Sequence, residues 1–78
     1  MKSDLLVEVG QRIRACREAL GTSQEDFARE AGVERSFYGK IERGTQNVSL
    51  ETLARIATAL KADFGDLLKG LPIEEPKA

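Results

Sequence analysis

Apolar residues recur along this chain at spacings of three and four, and no stretch alternates at every second position. That period belongs to helices packed on one face. Leu6, Val9, Ile13, Cys16 and Leu20 form a first stripe and place a helix from about Asp4 to Leu20. Gly10 weakens that helix by about 1 kcal/mol relative to Ala, and Gly21 ends it. A second helix opens at Ser23, with Asp26 three residues on as a weak capping box, carries Phe27, Ala28 and Ala31, and stops at Gly32. A third covers about Arg35 to Glu42 and ends at Gly44; Val33 and Tyr38 stand at the spacing of a hydrophobic staple. Ser49 caps a fourth helix reaching about Leu60, with Leu50, Leu53, Ile56, Ala57 and Leu60 as its buried face. Asp63, with Asp66 at the third position, caps a last short helix carrying Phe64, Leu67 and Leu68. The expected fold is all-α, a compact bundle of five helices.

Composition narrows what such a bundle does. At 78 residues a chain buries only about 60–65% of its unfolded surface, which leaves little room for a second domain or an enclosed active site. Proline is absent before Pro72, so the folded domain is expected over residues 1–71, with 72–78 a flexible polar tail. No run approaches the ~18 apolar residues of a membrane span, and the opening MKSDLLVEVG has acidic residues where an export signal is apolar. With a single cysteine, Cys16, placed in the core, the expectation is a cytoplasmic protein with no disulfide. Histidine is absent, which removes the usual ligands of zinc and the usual acid–base catalyst. No enzyme, metal or cofactor is expected.

Charge sets a condition rather than an answer. Twelve basic residues oppose thirteen acidic ones, for a net charge of −1. A chain that neutralised phosphates indiscriminately would be basic overall, so any nucleic-acid role needs positive charge gathered in one place.

The segment Ser23–Gly44, SQEDFAREAGVERSFYGKIERG, meets the requirements of a helix-turn-helix. Two short helices joined at Ala31-Gly32-Val33 cross steeply when a small residue, here Ala28, sits between their backbones. Gly32 supplies the positive φ of the turn. Tyr38 and Ile41 show apolar groups to the core from one side of the second helix, which leaves Arg35, Ser36, Phe37 and Lys40 outward. The Arg35 fork matches guanine O6 and N7 in a major groove, Ser36 suits a base edge or a phosphate, and Phe37 suits a thymine methyl. Lys40 and Arg43 suit phosphates, which position without specifying. Each has a plainer reading: Arg35 and Lys40 as solvated helix residues, or Phe37 as core with Tyr38 exposed, although the spacing to Ile41 favours Tyr38 inside. Gly39 permits close approach either of DNA or of another helix.

On QEDFAREAGVERSFYGKIERG followed by NVSLETLARIATAL, the chain resembles the Cro/cI-type (XRE-like, lambda-repressor-like) helix-turn-helix regulators, over about Gly10 to Leu68. Within them it is most similar to the controller proteins of restriction–modification systems, through Glu34 to Gly44 and Asn47 to Leu50. The resemblance implies that Gln24, with its backbone amide, clamps a phosphate, that the start of the third helix enters the major groove, and that Asn47 lies in a backbone-contacting loop. It implies a structural pair between Arg17 and Glu42. Two residues depart from the pattern: Glu34, expected to be a poorer cap than the family's Ser, Thr or Asp, and Gly39, a poor helix former.

Ile56, Leu60, Phe64, Leu67, Leu68 and Leu71 exceed the expected need of one small core. They are expected to form a homodimer interface, since one helix-turn-helix reads few base pairs and two-fold pairing is the usual remedy. The partner so implied is double-stranded operator DNA on the nucleoid, with no membrane and no metal. The rival reading is an antitoxin or bridging module that uses the same fold to hold another protein.

Overall fold

The computed structural model describes residues 4–73 and contains five helices, with no strand among those residues: α1 Asp4–Ala19, α2 Gln24–Ala31, α3 Arg35–Arg43, α4 Leu50–Leu60 and α5 Phe64–Leu68. The polar tail expected from Pro72 lies, beyond Ile73, outside the described residues.

Local chemistry fixes most boundaries. Ser23, Ser49 and Asp63 each accept a hydrogen bond from the backbone N–H three residues on, at 3.0–3.1 Å. Glu34 was expected to cap poorly, yet both its oxygens are used, by the Ser36 and Phe37 N–H groups. Its longer side chain reaches back over the first turn where a serine needs only a short arm. Gly32 and Gly44 close α2 and α3 in the left-handed conformation, and Lys61 does the same for α4 at φ 58°.

The core gathers around Ile13, Phe27, Tyr38 and Ile56, the largest fully buried side chains. The rings of Phe27 and Tyr38 lie 5.3 Å apart and tilted by 44°, a favourable aromatic arrangement. Val33 and Tyr38 are both buried at the entry to α3. Helix α1 lies across α3, α4 and α5, while α2 packs on α3 and α4.

Several sequence expectations change. Leu20 lies past the end of α1 and is 47% exposed, and Leu50 is 68% exposed at the first turn of α4. The stripes extend one position too far at each of these ends, because periodicity does not register where the neighbouring helix stops. Cys16 is half-buried against the core rather than inside it. Ile56, Leu60 and Leu67, expected at a dimer interface, are buried within the protomer instead. The core is larger than a count of apolar residues suggests, because the short α5 folds back on α1 and α4. Phe64 and Leu68 are half-buried at its margin.

Gly10 changes meaning altogether. A Cβ there would lie 2.5 Å from the Ile41 carbonyl oxygen, and closer still to that of Glu42. The glycine lets α1 cross the last turn of α3 in backbone contact, and so sets the pose of α3. Arg12 holds the other end of the bundle, its Nη1 donating to the carbonyls of Leu67 at 3.0 Å and Lys69 at 2.6 Å. It thereby satisfies the open C-terminal end of α5.

Candidate nucleic-acid interface

Helices α2 and α3 meet as the sequence implied. Gly32 has φ 70°, the Val33 N–H donates to the Ala28 carbonyl at 2.9 Å, and Ala28 is fully enclosed where the helices cross. Tyr38, Ile41 and Glu42 face inward on α3, while Arg35, Ser36, Lys40 and Arg43 are exposed. The turn has thus made one side of α3 a structural face and the other a free, polar face. Phe37 is half-buried and packs against the core, so only its outer edge is available. Asn47 is exposed in the loop between α3 and α4.

Gln24, Glu34, Arg35, Ser36, Gly39 and Arg43 line one shallow recess. Gly39 is buried and lines this recess. Its missing Cβ points at side chains of this recess, 3.2 Å from Arg43 Nη1 and 3.7 Å from Gln24 Oε1, and at no backbone of another helix. Among the described residues no cluster of acidic or cysteine side chains could hold a metal ion, and no helix is long and apolar enough to cross a membrane.

Beneath the recess lies a polar centre that sequence reading saw only in part. Arg17 and Glu42 form a buried bidentate pair, Nε to Oε2 at 2.7 Å and Nη2 to Oε1 at 3.1 Å. The Tyr38 hydroxyl donates to Glu42 Oε2 at 2.5 Å, and Gln24 Nε2 donates to Oε1 at 2.8 Å. Arg17 Nη1 also donates to the Thr22 carbonyl at 2.8 Å, which ties the start of α2 to α1. Burial alone would raise the Glu42 carboxyl, but the bonds from Arg17, Tyr38 and Gln24 hold it below its usual range. Burial, then the Glu42 acceptor, keeps the Tyr38 phenol protonated far above its ordinary range. The Arg17 guanidinium is held charged by its bonds to Glu42. Tyr38 and Gln24 were missed as members of this centre. The signal for Tyr38 was present, since it stands four residues before Glu42 on the same inward side of α3.

This centre gives Gln24 a fixed amide. One N–H of Nε2 is used by Glu42, which leaves the second for an outside acceptor.

The electrostatic contrast between helices is sharp. Arg12, Arg14, Arg17 and Arg29 on α1 and α2 are each ion-paired, to Glu8, Glu18, Glu42 and Asp26. Arg35, Lys40 and Arg43 on α3 form no ion pair with any described residue. Arg55, Lys61 and Lys69 are likewise exposed without an ion pair to a described residue, but they stand singly on α4 and at the ends of α4 and α5, so α3 is the one helix that carries three such cations.

Known proteins are similar to this chain in sequence and fold. A helix-turn-helix family profile matches residues 13–67. The control protein C.BamHI of Bacillus amyloliquefaciens is 38% identical over 69 residues, which cover 87% of this chain and 85% of that protein. The crystal structure of the restriction-modification controller protein C.AhdI from Aeromonas hydrophila shares 47% identity, with a TM-score of 0.77 over 80% of this chain and 94% of that one. A crystal structure of SinR, described as a master regulator for biofilm formation and solved in complex with DNA, shares 35% identity. Its TM-score is 0.74, over 78% of this chain and 98% of that one.

Proposed function

Because this chain belongs to the Cro/cI-type (XRE-like) helix-turn-helix family of DNA-binding transcription regulators, we propose that it acts as a homodimer on a short palindromic operator, as the controller of a restriction–modification operon. The observation that carries the DNA-facing assignment is the unpaired cationic face of α3. Arg35, Ser36 and the outer edge of Phe37 take the bases, at the N-terminal end of the recognition helix. Lys40 and Arg43 take phosphates beside them, and Asn47 takes the backbone from its loop. Gln24 offers a phosphate its second amide N–H together with the free backbone N–H groups at the start of α2. Its bond to Glu42 holds the amide in the required orientation.

Dimerisation passes to Phe64 and Leu68, since Ile56, Leu60 and Leu67 are occupied inside the protomer. Two recognition helices would then stand about 34–36 Å apart on one face of the duplex. Binding to chromosomal DNA makes this a cytoplasmic, nucleoid-associated protein without a catalytic role.

The test is a gel shift with the DNA upstream of the chain's own gene, competed by scrambled DNA at near-physiological salt. Retention of the shifted band is the expected result. Arg35→Ala is expected to cost about 1–3 kcal/mol on that DNA and to relax one guanine position, with helicity unchanged. An equal loss on specific and scrambled DNA would remove Arg35 from base reading.

A further inference from the structure

The leading end of α3 carries a negative charge where a DNA-reading helix gains most from positive charge. Glu34 is the N-cap, with its Oε2 accepting from the Ser36 N–H at 3.1 Å and its Oε1 from the Phe37 N–H at 3.0 Å. These are N–H groups that a helix N-terminus would otherwise offer to a phosphate. Here the chain fills them itself. The carboxylate is exposed, makes no ion pair with a described residue, and stands directly before the exposed Arg35 in the recess shared with Gln24 and Arg43. The bonds from the Ser36 and Phe37 N–H groups lower its carboxyl below the ordinary value. Each of its oxygens keeps a lone pair that those bonds do not use.

We propose that Glu34 sets this chain's preference for its operator over other DNA: its carboxylate repels backbone phosphates but accepts a hydrogen bond from an exocyclic base amine, of the cytosine N4 kind, in the major groove. The inference rests on the DNA-binding reading above. In a non-specific encounter Lys40 and Arg43 hold α3 over the phosphates. A carboxylate within the Debye length of about 8 Å then subtracts from their attraction. In the groove the same group faces base edges, where a cytosine amine is the donor that a carboxylate takes. The charge therefore costs wrong DNA more than right DNA. A serine or threonine cap would satisfy the helix equally well without making that distinction.

The test compares a duplex selected from a randomised pool by the unaltered chain with a scrambled duplex of equal composition, by fluorescence anisotropy at about 0.15 M salt. Glu34→Gln keeps an oxygen for the cap and removes the charge. It is expected to tighten binding to the scrambled duplex about three- to ten-fold, the worth of one like charge at close range. The selected duplex is expected to gain nothing or lose, so the ratio of affinities falls at least about three-fold. Glu34→Asp, which keeps both charge and cap, is expected to preserve the ratio. Should Glu34→Gln lose helicity by circular dichroism, Glu34→Ser carries the same comparison with a neutral cap. An equal shift on both duplexes, or an unchanged ratio, overturns this inference and leaves the DNA-binding reading standing. Failure of the unaltered chain to distinguish the two duplexes overturns both.

Discussion

Four donor groups converge on the two oxygens of Glu42: two from Arg17 and one each from Tyr38 and Gln24. Every bond points the same way, so the residue has to be an acceptor on both sides. Glu42→Gln places an amide N–H₂ against two of those donors and leaves the Arg17 charge unbalanced below the surface. Breaking a buried pair in this way costs about 3–5 kcal/mol, a large part of the stability of so small a domain. Urea denaturation followed by circular dichroism is expected to show a loss of that size. The dependence on acid follows from the same geometry. The Glu42 carboxyl titrates lower in the folded chain than its ordinary value of 4.5. Its contribution is therefore complete above that value and disappears as the pH falls through the lowered one. Glu34 shifts in the same direction. The unaltered chain is expected to lose stability steeply below the ordinary carboxylate range, and Glu42→Gln less steeply. Of this centre, the Arg17–Glu42 pair came from resemblance alone, because two residues 25 apart in sequence show no local sign of meeting.

The same divide between near and far explains which parts of the elements were legible. Caps, turns and the inward stripe of α3 depend on neighbours within one or two turns, so Ser23, Gly32, Tyr38 and Ser49 could be placed from spacing. The role of Gly10 depends on α3, some thirty residues away, and from spacing it reads as a weak point in α1. Its two kinds of consequence differ in sign. Glycine to alanine inside a helix ordinarily gains about 1 kcal/mol. At Gly10 the new Cβ would meet the carbonyl groups of Ile41 and Glu42, which are backbone and cannot step aside. Gly10→Ala is therefore expected to destabilise by at least about 1–3 kcal/mol. On the scale of about 4–8 °C per kcal/mol for a domain of this size, the melting temperature should fall clearly. Gly39→Ala supplies the control, because its Cβ would meet only side chains, the far end of Arg43 at 3.2 Å and Gln24 Oε1 at an ordinary 3.7 Å. That change is expected to raise the melting temperature or leave it unmoved. If both variants melt alike, the crossing of α1 and α3 is not set by Gly10.

At the scale of the whole molecule, the net charge of −1 conceals a division of labour. The cations of α1 and α2 are spent in ion pairs, and the margins near α5 carry Asp63 and Asp66, while α3 keeps Arg35, Lys40 and Arg43 free. The clustering on α3 is legible from position along the chain, but the pairing of the α1 arginines is not. The dimer assignment was less legible still, since counting apolar residues gives no measure of how many the protomer itself will bury. Both points meet in one measurement. The observed binding constant falls with salt by about 0.9 decades per decade for each phosphate neutralised. If Arg35 is spent on a base, each protomer contributes Lys40 and Arg43 to phosphates, for a slope of about −2 from one protomer and about −4 from a dimer. A slope near −4 on the preferred duplex is the expected result, together with a two-fold footprint. Lys40→Gln should reduce the magnitude of the slope by about 2 in a dimer, one unit for each copy, while the base preference stays the same. A slope near −2 that Lys40→Gln reduces by only about 1 would instead describe a single protomer on the DNA, and the pairing through Phe64 and Leu68 would have to be abandoned.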